Sequence, residues 1–146
     1  MSLQVSTGWK ALTVALAKAS FDGGVIRLFS GTQPATSDLA QTGALLGEIR
    51  IDGGAPLEFD ASGPYLVKPV MANWVFTASA SGMLGWFRLV TSPGDAGLVS
   101  YSLPRFDGAV GLAGAGAELT VASLAVTSGE TYPIDAFFYS IPPLGA

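Results

Sequence analysis

From Asp22 onward the chain is cut into short pieces. Clusters of Gly, Pro, Ser and Asp recur roughly every 8–15 residues, a spacing that suits the strands of a β-sandwich or barrel. The clearest breaks are Asp22-Gly23-Gly24, Ser30 to Asp38, Asp52-Gly53-Gly54 and Pro93-Gly94-Asp95. Each combines residues that tolerate or pre-set turn geometry. The pieces between them read as strands: Val25 to Phe29, Leu45 to Ile51, Tyr65 to Val70, Trp74 to Ser79, Leu84 to Thr91, Leu98 to Leu103, Arg105 to Val110, Glu118 to Thr127 and Thr131 to Ile141. Period-two alternation is clearest in the last two and in Leu84 to Thr91. The lack of helices between the strands argues against a parallel α/β sheet.

Helical periodicity occurs only ahead of Asp22. Trp9, Leu12, Leu16 and Ala19 fall on one face at i, i+3, i+7 and i+10, with Lys10 and Lys18 off it. Ser6 or Thr7 supplies the N-cap. Lys10 ahead of Ala11 to Ala17, with Ala17-Lys18-Ala19 behind, also has the outline of a short signal peptide. The capped, amphipathic pattern favours the helix, expected over about residues 7–20. No apolar run reaches the ~18–20 residues of a membrane helix, so no membrane partner is expected. The expected architecture is one all-β domain over residues 1–146, a jelly-roll-like antiparallel β-sandwich with one N-terminal α-helix and strands over about 24–141.

Composition narrows the function. Only 12% of the residues are charged against 49% hydrophobic, and there are 19 glycines. Charge stands at about half the usual ~25%. A lone domain ordinarily keeps more charge on its surface for solubility, so a homo-oligomer (dimer or trimer) is expected. The chain has no His and no Cys. Catalysis by Ser-His-Asp or Cys-His is therefore excluded as drawn, as are zinc sites built on those ligands and haem or iron–sulfur ligation. A net charge of −4 opposes nucleic-acid binding, which needs Lys and Arg to meet phosphates.

Three groups of residues could still carry chemistry. Asp52, Glu58, Asp60 and Asp107 could pair for glycoside hydrolysis or hold calcium. Asp52 and Asp60, however, sit in ordinary turn contexts, and the Asp52–Asp60 region lacks the ligand ladder of an EF-hand. The glycine string from Gly108 to Gly116 lacks the Gly-Lys-Ser/Thr of a P-loop and runs into a strand, so it reads as a packed or flexible loop. Trp9, Trp74 and Trp86 suit a core or a sugar-stacking platform. The sequence thus shows no enzyme signature, and no catalytic, cofactor or metal residues are assigned.

Several segments resemble small virion structural proteins of tailed bacteriophages. They are Val25-Ile26-Arg27-Leu28-Phe29-Ser30-Gly31-Thr32-Gln33-Pro34-Ala35-Thr36-Ser37-Asp38, Thr42 to Leu46, Gly85 to Val90, Phe106 to Gly111 and a late Leu-Thr-Val strand. The resemblance spans residues 9–141, with Ser30 to Ala35 its most specific part. It implies a capsid cement or decoration protein that binds the major capsid protein on the virion surface and bridges its subunits. A tail or baseplate component binding host glycans is the alternative.

Alternation then nominates contact residues. Trp86, Arg88 and Val90 share one strand face, and Phe87 and Leu89 the other. An unpaired arginine is costly inside a core, so the Trp86–Arg88 face is expected to reach water or a partner. Arg27 and Arg50, on strands with similar alternation, are second candidates for the same surface.

Overall fold

The computed structural model describes residues 4–141. Helix α1 spans Thr7–Phe21, and Ser6 caps it by accepting a hydrogen bond from Trp9 N at 3.2 Å. At the other end Lys18 O accepts from Asp22 N, and the Lys18 ammonium pairs with the Asp22 carboxylate at 2.6 Å. The same carboxylate accepts from Phe59 N, which ties the helix end to the chain entering the sheet.

Among the described residues eleven strands follow: β1 (Val25–Phe29), β2 (Leu45–Ile51), β3 (Asp60–Ser62), β4 (Tyr65–Val67), β5 (Trp74–Thr77), β6 (Gly82–Met83), β7 (Trp86–Val90), β8 (Arg105–Gly111), β9 (Leu119–Val121), β10 (Ala125–Val126) and β11 (Thr131–Ser140). Nine form one sheet in the order β3-β4-β11-β5-β2-β1-β7-β8-β9, and β9 pairs back to β11. Seven of these strands, β11-β5-β2-β1-β7-β8-β9, therefore close into a ring, while β4 and β3 extend from β11 and leave β3 as an edge. All pairings are antiparallel except β8–β9, which is parallel. The short β6 and β10 pair with each other.

The expectation of a mostly β chain with one N-terminal helix is met. The hydrogen bonding, however, describes a ring closed through β9 and β11. Expected strand Leu98 to Leu103 is absent and forms an exposed loop. Glu118 to Thr127 divides into β9 and β10, which pair with different partners.

Inside the ring, Ile26, Leu28, Ile49, Phe76, Phe87, Leu89 and Phe137 form one apolar cluster, with Phe87 and Phe137 meeting edge to face at 5.7 Å. Gly47 is needed here. A Cβ on it would lie 2.7 Å from the buried ring of Phe76, which is itself stacked on Tyr132. Helix α1 contributes Val14, Ala17 and Phe21 to the same cluster, and Phe21 packs on Phe106 of β8 at 4.6 Å. Its expected apolar face is turned the other way. Trp9, Leu12, Leu16 and Ala19 are exposed, while Thr13, Val14, Ala17 and Phe21 are buried. Both sides of this helix carry apolar residues, so periodicity alone did not fix which one packs.

Candidate interaction surface

The outer face of β1, β7 and β8 carries Val25, Arg27 and Phe29, then Trp86, Arg88 and Val90, then Arg105 and Asp107. Strand register sets these in rows across the sheet. Glu48 of β2 lies opposite Arg27, Arg27 opposite Arg88, and Arg88 opposite Asp107. The row reads acid, arginine, arginine, acid. Like charges directly opposite one another destabilise a sheet, and here each arginine has an acid on its far side.

Arg88 is fully buried. Its Nε and Nη2 donate to the two oxygens of Asp107 at 2.8 and 2.9 Å, and Nη1 donates to Leu39 O at 2.8 Å. The guanidinium also lies 5.4 Å from the Trp86 ring centroid. Trp86 stacks on Phe29 at 4.5 Å. A second pair sits alongside. Arg105 Nε and Nη2 donate to the two oxygens of Asp95, both at 2.7 Å. Arg105 also donates to Ser37 O and Leu98 O. Arg27 donates to Pro93 O at 3.0 Å, while its Nε stands 3.8 Å from Glu48.

These bonds explain the burial. Loops 30–44 and 91–104 lie over the outer face, and the three arginines bind their carbonyls from below. The loops also bond to each other, with Ser100 N donating to Asp38 O and Gln41 N to Gly97 O, both at 2.9 Å. Burial alone would raise the Asp95 carboxyl. Hydrogen bonds from Arg105 and Gly97 N, with the charges of Arg105 and Arg27, outweigh burial and hold it below the usual carboxylate range. Arg105 is raised in turn, chiefly by its hydrogen bond to Asp95.

The expected contact residues are therefore redistributed. Alternation correctly places Trp86, Arg88, Arg27 and Arg50 on the outer face, but that face does not reach water over most of its extent. Trp86, Arg88 and Arg27 are buried, with Trp86 and Arg88 at 1% and 0% exposure. An arginine inside is tolerated because a carboxylate and a carbonyl take its donors, the pairing that the sequence alone did not reveal. Arg50 differs. It is half-buried at a shallow depression lined by Leu45, Gly47, Glu48, Thr77 and Ser79, and its Nη2 stands 3.7 Å from Glu48.

What the paired arginines support is apolar and exposed. Leu98, Val99, Tyr101 and Leu103 on the upper loop are 68%, 55%, 80% and 43% exposed. Leu39, between the two residues that bond to that loop, adds to them. The segment from Ala96 to Pro104 contains no charge. Its alternation of apolar residues and serine resembles a strand. Ser100 Oγ instead accepts from Ser102 N and Leu103 N, which bends the chain there.

The carboxylates singled out above do not converge. Asp52 sits at φ 53° in a turn and accepts from Asn73 Nδ2, Glu58 is exposed, Asp60 lies on β3, and Asp107 is paired with Arg88. Among the described residues no group of three or more His, Cys, Asp or Glu is placed to hold a metal ion. Gly108 packs under Phe87, and β9, a strand, follows the glycine string. No helix among the described residues is long and apolar enough to cross a membrane. Comparison with protein families, curated proteins and solved structures finds no match to this chain.

Proposed function

We propose that the chain is a non-enzymatic structural protein of a virion, a capsid cement protein that binds the major capsid protein and bridges its subunits. One observation carries the binding part of this reading. An uncharged apolar knob, Leu98, Val99, Tyr101 and Leu103 with Leu39, stands exposed on loops clamped by two buried Arg–Asp pairs. A rigid knob loses little conformational entropy on docking, and tyrosine is among the residue types that dominate interface energy. The virion setting comes from the resemblance of the Val25 to Asp38 segment and its companions. In this reading the ring is a flattened relative of a jelly-roll-like sandwich, its β7 and β11 walls meeting through Phe87 and Phe137. Trp86, Arg88 and Arg27 act as supports, and Arg50 remains a contact at the surface.

The test uses capsids lacking this chain. Tyr101→Ala and Leu98→Ser should each weaken binding about 30-fold, the equivalent of ~2 kcal/mol for a central interface residue, while the thermal midpoint of the free protein stays unchanged. Equal binding by both variants would remove the knob from the interface. A parent chain that binds no capsid would end the cement role and favour a tail or baseplate component.

A further inference from the structure

We infer that the Asp52-Gly53 step is a self-modification site, where the native fold leaves the chain free to close to a succinimide and reopen as isoaspartate. The inference stands apart from the capsid reading and needs no capsid to test.

An aspartate followed by glycine is the pair most open to this closure, because glycine puts no Cβ beside the attacking amide. The chain has three such steps in closely similar local sequence: Phe21-Asp22-Gly23-Gly24, Ile51-Asp52-Gly53-Gly54 and Phe106-Asp107-Gly108-Ala109. Local sequence does not rank them, but the fold does. At Asp22 both carboxylate oxygens are engaged, one by the Lys18 ammonium and one by Phe59 N, and Gly23 N donates to Leu57 O at 2.8 Å. Asp107 is buried in β8 with both oxygens on Arg88, and Gly108 lies under the Phe87 ring. The single asparagine, Asn73, precedes Trp74, whose buried bulk hinders the equivalent attack.

Asp52 and Gly53 are exposed. Among the described residues Gly53 N has no hydrogen-bond acceptor, and the Asp52 carboxyl meets only Asn73 Nδ2, at 3.1 Å. A Cβ built on Gly53 would approach nothing closer than Val75 at 3.8 Å, so a ring has room there. Asp52 is also the only non-glycine residue at positive φ among the described residues, at 53°. An L-residue is strained in that region, so turning out of it toward ring closure releases strain. The turn is held by Gly54 N on Ile51 O and Asp52 N on Asn73 O, surface bonds of the kind that open readily.

The step balances within the chain and water. Gly53 N attacks Cγ of the Asp52 carboxyl in its acid form. The N–Cγ bond forms, the Cγ–OH bond breaks, and the hydroxyl leaves as water with the amide proton. Water then adds to one of the two imide carbonyls. Opening at Cγ restores aspartate, and opening at the main-chain carbonyl gives isoaspartate with a free α-carboxylate. The product carries one more main-chain carbon between Ile51 and Ala55, which bond to each other in both directions at 2.9 and 3.0 Å. It keeps one carboxylate, so the change is one of shape and not of net charge. Gly53 lines the same shallow depression as Glu48 and Arg50, so the surface beside Arg50 changes with it.

To test this, the full chain is aged in mildly acidic buffer, folded and in urea, and then digested. Each peptide is read by mass spectrometry and by methyl uptake from S-adenosylmethionine with an isoaspartyl methyltransferase, which marks isoaspartate. In urea the three steps should react at comparable rates. In the folded chain isoaspartate should accumulate at 52 at least about 30-fold faster than at 22 or 107, where closure waits on opening of the helix end or the core strand. Asp52→Gly lacks the carboxyl and suits a positive φ, so it should abolish methyl uptake in the aged folded sample with circular dichroism unchanged. Reaction at 52 no faster than at 22 or 107 in the folded chain overturns the inference. So does methyl uptake by folded Asp52→Gly equal to that of the parent.

Discussion

A guanidinium with no access to water persists only where its donors find acceptors. Arg88 meets that condition through Asp107 and Leu39 O, and Asp107 depends on Arg88 in return. Removing one member should therefore cost far more than removing both. Asp107→Asn leaves a buried cation facing a neutral amide and is expected to lower stability by about 3–5 kcal/mol. The double change Arg88→Met with Asp107→Leu should recover most of that loss in a denaturant titration. A single-variant cost under about 1 kcal/mol would mean that water reaches the pair. Tyr139 offers a second test. Its hydroxyl donates to Asp107 O at 2.8 Å, and its ring stacks on Phe106. Burial, then the charges of Glu118 and Asp107, pushes the phenol up to about 12. The raised value means that the folded state favours the neutral phenol. Its contribution is complete below about pH 10 and is lost as pH climbs toward that value. Ultraviolet titration should show a late phenol that is absent in Tyr139→Phe, and that variant should also lose about 1 kcal/mol.

Elements behave here as pairs of loops and strands more than as separate strands. Loops 30–44 and 91–104 are joined to each other and to the sheet by Arg105, Arg88 and Arg27. Arg105→Met should free both loops together, and hydrogen exchange should rise at 37–41 and 97–103 while β1 and β7 stay protected. Exchange rising in only one loop would show that the clamp is not shared. The same coupling explains what sequence reading could reach. Strands β1 and β2 follow from compact apolar runs bounded by turn residues, and the α1 start follows from Ser6. The side of β7 on which Arg88 lies follows from alternation. Its burial does not, because the residues that cover it come from loops far along the chain, and Asp107 lies 19 positions away. Leu98 to Leu103 misleads for a related reason. Its alternation is that of a strand, but Ser100 Oγ and Asp38 O take the backbone donors that a ladder would use. In α1 the apolar residues lie on two sides, and only the closed ring decides which side is filled.

For the whole molecule, five of the eighteen charged side chains, Arg27, Arg88, Arg105, Asp95 and Asp107, are buried. The surface is accordingly poorer in charge than the composition states, and more acidic, since three of the five are cations. Global stability should then follow buried acid more than surface repulsion. Asp95 has its folded pKa below the ordinary value of 3.8, so its contribution is fully present above that value and is lost as pH falls through the folded one. The thermal midpoint should be level from about pH 8 to about pH 5 and decline below about pH 4. Asp95→Asn should lower it at neutral pH, where Arg105 would be left facing an amide. The difference between parent and variant should shrink as acid protonates the parent's carboxyl. Added salt should change it little, because both groups are shielded from solvent ions. A gap between parent and variant that stays constant down to about pH 2 would place the acid sensitivity in other carboxylates. A gap that closes between about pH 6 and about pH 5 would contradict the lowered value, since a carboxyl titrating there is raised by burial and not held down by its arginine.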